Sequence, residues 1–107
     1  MVTLTEESFD SLILNDATDT IHIVQLSTTT CAKCKILGYT LPPFLERYYP
    51  QVNLVEGDVV SLRDIVSDYD IRSVPSLLVF RSGSLLAKLT GDISVEVVRN
   101  VLDEALR

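Results

Sequence analysis

Residues 21–49 read IHIVQLSTTTCAKCKILGYTLPPFLERYY, and the apolar period changes inside them. Ile21 to Leu26 is a short run rich in β-branched residues, preceded by the turn-prone Asn15 to Thr20, which predicts a strand. From about Ala32 to Tyr49 the period becomes helical, with Leu37, Leu41, Phe44, Leu45 and Tyr48 on one stripe. Pro42-Pro43 inside that stripe predicts a kink or two helical pieces, because each Pro removes a donor and crowds the preceding turn. Between strand and helix stands Cys31-Ala32-Lys33-Cys34.

Working outward, residues 5–15 predict a helix. Thr3 or Thr5 can cap it, Glu6 and Glu7 favour its positive end, and Phe9, Leu12 and Ile13 share a face. Val52 to Val55 predicts a strand. Ser61 opens a short helix with Asp64 in capping-box position and Leu62, Ile65, Val66 and Tyr69 inward. Ser76 to Arg81 and Leu85 to Leu89 predict two strands joined by a turn at Arg81-Ser82-Gly83-Ser84. Ser94 caps a last helix with the stripe Val95, Val98, Leu102 and Leu106. A short first strand at Val2-Thr3-Leu4 is compatible with the pattern. Strands alternating with helices imply parallel pairs, and the closing hairpin adds an antiparallel one. The expectation is an α/β fold in three layers, with a mixed central sheet of four to five strands and about four helices. With 107 residues and neither linker nor repeat, 1–107 reads as a single domain.

Composition narrows the function. The 9 Lys+Arg stand against 15 Asp+Glu, a formal net charge of −6. A general nucleic-acid or anionic-membrane binder carries the opposite sign. No apolar run approaches 18 residues, and Met1 to Asp10 lacks a signal core, so the expected location is cytoplasmic. Two Cys and one His fall short of the four ligands of a zinc site, so no metal is expected.

The cysteine pair carries the chemistry. A helix N-terminus presents unsatisfied N–H groups and partial positive charge, which stabilise a thiolate in its first turn. The two-residue spacing lets the second thiol close a disulfide with the first. Cys31, nearer the exposed start, is the expected attacking thiol. Cys34, one turn further in, is the expected resolving thiol.

At these residues the chain resembles the thioredoxin family, over nearly its whole length. The resemblance rests on His22-Ile23-Val24-Gln25-Leu26, Cys31-Ala32-Lys33-Cys34-Lys35, the stretch from Tyr69 through Val74-Pro75 to Phe80, the turn at Gly83, and Thr90-Gly91. It implies the thioredoxin fold and a cis Val74-Pro75 bond beside the dithiol. It also implies a substrate held along Thr30, Val74, Pro75 and Gly91. Backbone groups exposed at such a loop can pair with an extended segment as an added strand.

The departures from the family concern tuning. Thr30 stands where the family has Trp, and the chain has no Trp. Ala32 and Lys33 lie between the cysteines, and Lys33 replaces the usual Pro. A cation near Cys31 favours its thiolate and so raises the reduction potential, by roughly 30 mV for each 1.4 kcal/mol. Gln25 replaces a buried Asp that helps deprotonate the resolving thiol, and an amide is no general base. Glu56 aligns with the family's nearby Lys and is the candidate substitute base. The family's helix proline would fall near Tyr39, and Gly38 is expected to relieve crowding there. From Thr20 to Leu45 no acidic residue occurs, so Lys33 and Lys35 suggest a locally positive site. His22 is expected on a strand near the sheet edge.

These readings converge on a cytoplasmic, monomeric protein-disulfide reductase working through a reversible Cys31–Cys34 disulfide, with no bound cofactor. The implied partners are protein disulfides and a thioredoxin-reductase-type flavoprotein. A glutaredoxin-like enzyme served by glutathione is one alternative. A non-catalytic accessory or binding subunit of the same fold is another.

Overall fold

A computed structural model describes residues 2–107. Its elements are β1 (Val2–Thr3), α1 (Glu6–Phe9), a π-helical turn (Asp10–Leu14), β2 (Ile21–Ser27), α2 (Ala32–Tyr48), β3 (Asn53–Asp58), α3 (Arg63–Asp68), β4 (Ser76–Arg81), β5 (Ser84–Thr90) and α4 (Val95–Ala105). The sheet order is β1-β3-β2-β4-β5. β1, β3 and β2 run parallel, whereas β4 and β5 are antiparallel to their neighbours. The chain exposes 6125 Å², close to the roughly 6,000 Å² that surface scaling gives for this size.

Period-two alternation along β2 sorts the core into two layers. Ile21 and Ile23 face Leu37, Leu41 and Leu45 of α2 and Val98 and Leu102 of α4. Val24 and Leu26 face Phe9 and Ile13 on one side and Leu62 and Ile65 on the other. Helices therefore cover both faces of the sheet. In the second layer Phe9, Tyr69 and Phe80 meet edge to face, with centroids 5.5–5.9 Å apart. Such pairs add about 0.5–1.5 kcal/mol beyond the area they bury.

Several local expectations are corrected. Thr5 caps α1 as read: its Oγ1 accepts from Ser8 N at 3.0 Å, and Ser8 Oγ accepts from Thr5 N at 2.8 Å. After Phe9, however, the helix widens, and Asn15 N donates to Asp10 O five residues back. The wider turn rotates Leu12 off the inner face, leaving it 44% exposed. α2 runs as one helix through Pro42 and Pro43, which sets aside the two-piece alternative. Tyr48 is exposed and Tyr49 takes the buried place, where its hydroxyl donates to Asp103. Leu106 likewise lies past the end of α4, exposed.

α3 starts at Arg63 after Leu62, without a cap from its own side chains. Glu6 of α1 supplies one instead: its Oε1 accepts from Asp64 N at 3.2 Å and Ile65 N at 3.5 Å. A carboxylate at a helix start also complements the helix dipole. The β4–β5 turn has positive φ at Ser82 (52°) and Gly83 (78°), the pattern of a type I′ hairpin. A Cβ at Gly83 would sit 2.5 Å from the Leu14 carbonyl oxygen, so only glycine fits.

His22 lies on the central strand, not near an edge. It is buried, with Nε2 2.6 Å from Asp16 Oδ2 and Nδ1 3.0 Å from Asn53 Nδ2. Strand β2 thus joins two different ends. His22 stands at its start, and the cysteines follow its end.

Candidate functional site

Cys31 is the residue that turns strand into helix. Its backbone is extended (φ −92°, ψ 111°), and its sulfur caps α2 by accepting from Cys34 N at 3.1 Å. Caps of this kind are usually oxygen from Ser, Thr, Asp or Asn. Here a sulfur fills the role and sits in the positive field of the helix start. Cys31 and Cys34 are disulfide-bonded, with Cα atoms 5.2 Å apart. The two cysteines differ in access: Cys31 is half-buried, whereas Cys34 is only 5% exposed in the first turn.

The loop before β4 forms the opposite wall. Val74-Pro75 is cis, as the resemblance implied. Two bonds hold the loop: Ser76 Oγ donates to Ser73 O at 2.7 Å, and Gly91 N donates to Pro75 O at 3.2 Å. Pro75 is buried, Val74 and Gly91 are half-buried, and Thr30 is exposed. Two clefts flank the loop. One, of about 200 Å³, lies between Lys33, Ile36, Pro75, Gly91 and Ile93. The other, of about 330 Å³, lies between Thr28, Val60, Arg72 and Val74, and Val60 is 73% exposed there.

Lys33 does not stand free beside Cys31. Its ammonium pairs with Asp92 at 2.9 Å, across the first cleft. Asp92 was not a candidate from the sequence. Its partner is 59 positions away, and no local pattern marks it. The expected positive patch is therefore partly neutralised, leaving Lys35 as its outlying charge. Ala32 is exposed in the first turn of α2.

Beneath the helix, Gln25 is 3% exposed, and its Oε1 is the buried side-chain polar atom that lacks a hydrogen-bond partner among the described residues. Gly38, one turn beyond Cys34 on α2, lies over this amide. A Cβ there would stand 4.0 Å from Gln25 Nε2, ordinary contact distance, so no crowding needs relief. Glu56 is the register partner of Gln25 on β3 and is half-buried. It opens to a cleft of about 230 Å³ lined by Thr3, Ser27, Thr29 and Asp58. Among the described residues no group of three or more His, Cys, Asp or Glu is placed to hold a metal ion, and no helix is long and apolar enough to cross a membrane.

A dithiol that closes on itself at a helix start, with one sulfur reachable and one covered, can exchange two electrons with an outside disulfide. Comparison with known proteins agrees. The family model for thioredoxin matches residues 1–104. Thioredoxin C-2 of Corynebacterium nephridii is 32% identical over 91 residues, covering 85% of this chain and 82% of its own. Thioredoxin-1 of Saccharomyces cerevisiae is 33% identical over 87 residues, 81% of each chain. A thioredoxin of Staphylococcus aureus is 26% identical over 106 residues, 99% of this chain and 98% of its own. The chain belongs to the thioredoxin family: it is a thiol–disulfide oxidoreductase whose redox group is the Cys31–Cys34 disulfide, with protein disulfides as substrates and a reductase as partner.

Proposed function

We propose, from that membership, that Cys31 is the attacking and Cys34 the resolving thiol of a monomeric, single-domain, cytoplasmic protein-disulfide reductase. The observation that carries this assignment is the difference in access between the half-buried helix-capping Cys31 and the covered Cys34. In the reduced protein the Cys31 thiolate attacks one sulfur of a substrate disulfide. That bond breaks, a mixed disulfide forms, and the second substrate sulfur leaves as a thiolate. Cys34 then gives up its proton and attacks the Cys31 sulfur. The substrate's other sulfur leaves, and the Cys31–Cys34 disulfide closes. Two electrons have passed to the substrate. A flavoprotein reductase drawing on a nicotinamide cofactor returns them.

The substrate lies extended against the Val74-Pro75 loop, between the two clefts, with Thr30 and Gly91 at its flanks. Val60 offers the apolar contact that the missing Trp would have given. The Cys34 proton leaves toward Glu56, whose carboxylate is next to Gln25 in register and opens to solvent. The Gln25 carbonyl, without a partner among the described residues, accepts a hydrogen bond along that route.

The assignment is tested by insulin reduction with electrons from a thioredoxin-reductase system. Cys31→Ser abolishes turnover and traps nothing. Cys34→Ser abolishes turnover but accumulates a mixed disulfide through Cys31. A trapped complex through Cys34 would reverse the roles, and faster turnover with glutathione and its reductase would overturn the electron source.

A further inference from the structure

The residue beside the attacking sulfur has its charge drawn elsewhere. Lys33, in the first turn of α2, is a natural counter-ion for a thiolate at Cys31, because a cation within a few ångströms favours the charged form. Its ammonium instead meets the Asp92 carboxylate at 2.9 Å. Asp92 is held from both sides. The preceding Gly91 N donates to Pro75 O at 3.2 Å, and two residues later Ser94 caps α4 by accepting from Val97 N at 3.3 Å. The backbone that carries the carboxylate is therefore braced on both sides, across the cleft beside Pro75. A lysine paired with a carboxylate presents a dipole to any neighbouring group, which is a much weaker field than a lone cation gives.

We propose that Asp92 is a positioning residue for the redox chemistry: by holding Lys33 it withholds that cation from the Cys31 thiolate and keeps the dithiol a stronger reductant than Cys-Ala-Lys-Cys alone would make. The other charges around the site leave this role to Asp92. Lys35 extends along α2 without an ion-pair partner among the described residues. Arg72, in the loop before Pro75, is engaged by Asp70 at 2.9 Å. Asp58, at the end of β3, lines the separate cleft by Thr29. What remains at Cys31 in every variant is the helix start itself, through Cys34 N.

The equilibrium to follow is the reduction of the Cys31–Cys34 disulfide by glutathione. Two glutathione thiols give up two electrons and two protons, and leave as one oxidised glutathione. Lys33 and Asp92 are 60% and 85% exposed, so screening keeps the effect modest. Asp92→Asn is expected to move the constant about threefold toward the dithiol, about 14 mV at 29.6 mV per tenfold. It should also move the pH midpoint of Cys31 alkylation by iodoacetamide downward. In a Lys33→Met background the same substitution should move neither, so the four proteins form a double-mutant cycle with its coupling at Lys33.

An unmoved constant in Asp92→Asn would overturn the proposal. So would an equal shift with and without Lys33, which would mean that the carboxylate acts on the sulfur directly. The inference rests on Cys31 being the attacking thiol, and peptide mass mapping of the first alkylated residue reads that separately. Alkylation at Cys34 first overturns both readings; Cys31 first with an unmoved constant overturns this one alone.

Discussion

His22 and Gln25 lie three residues apart on β2, both buried, on opposite faces of the sheet. The first is fully engaged. With the Asn53 amide donating to Nδ1, Nε2 donates to Asp16, and Asp16 also accepts from Thr18 N and Oγ1. The second has a carbonyl oxygen with no partner among the described residues. A buried polar group without a partner costs free energy, so native structures keep few of them. The network at the start of β2 acts as a structural fastening. The unengaged oxygen lies beneath the helix that carries Cys34, where a proton must move during each cycle. One strand separates the two uses of a polar core residue by three positions and a change of face.

Removing the engaged group should have the largest effect on stability. His22→Leu removes the bonds from His22 to Asp16 and Asn53, and at about 1 kcal/mol for each net hydrogen bond is expected to lower the unfolding free energy in urea titration with an unchanged m-value. Turnover per folded molecule should stay the same; a parallel fall in turnover would show that the two ends of β2 are not separable. Gln25→Leu should do the reverse. With the orphaned oxygen gone and the volume nearly kept, stability is expected to hold or rise by up to about 1 kcal/mol. The release of a mixed disulfide by Cys34 should slow in stopped-flow single turnovers. A loss of stability larger than that of His22→Leu would break the comparison outright.

The smallest effect is one of pH. The His22 hydrogen bond, followed by those from Thr18 N and Oγ1, lowers the Asp16 pKa from 3.8 to about 2. A carboxyl lowered on folding contributes stability that is fully present above its unfolded value and disappears as pH falls through the folded one. Acid titration followed by circular dichroism should therefore show the wild type losing stability between these values more steeply than His22→Leu. Equal slopes would mean that the Asp16–His22 bond adds nothing.

Most of the architecture was legible because it is written locally. The β-branched run of Ile21 to Leu26, the helical stripe of Leu37, Leu41 and Leu45, the caps at Thr5 and Ser94, and the Ser82-Gly83 turn each lie within a few neighbouring residues. The cysteine pair announced the chemistry in the same way, by spacing and by its place between strand and helix. What the sequence did not disclose are the meetings of distant residues. Glu6 caps α3 from 58 positions away, Asn53 reaches His22 from 31, and Asp92 claims Lys33 from 59. Each is a polar contact set by the fold, and hydrophobic periodicity carries no information about polar partners. Leu12 was misplaced for a different reason. A π turn changes the helical period itself, so a stripe drawn at 3.6 residues points the wrong way.

The sulfur of Cys31 holds the first turn of α2 by accepting from Cys34 N, and in the cycle we propose the same atom exchanges covalent partners. Its hydrogen-bond donor is backbone, fixed by the helix that follows. Whether the sulfur is bonded to Cys34, to a substrate or to nothing, the amide that anchors it is already in position. The anchor therefore belongs to the backbone of the scaffold and not to the side chain that reacts. On the proposed assignment, what an arriving disulfide meets first is the surface around that anchored atom, with the clefts on either side of the Val74-Pro75 loop.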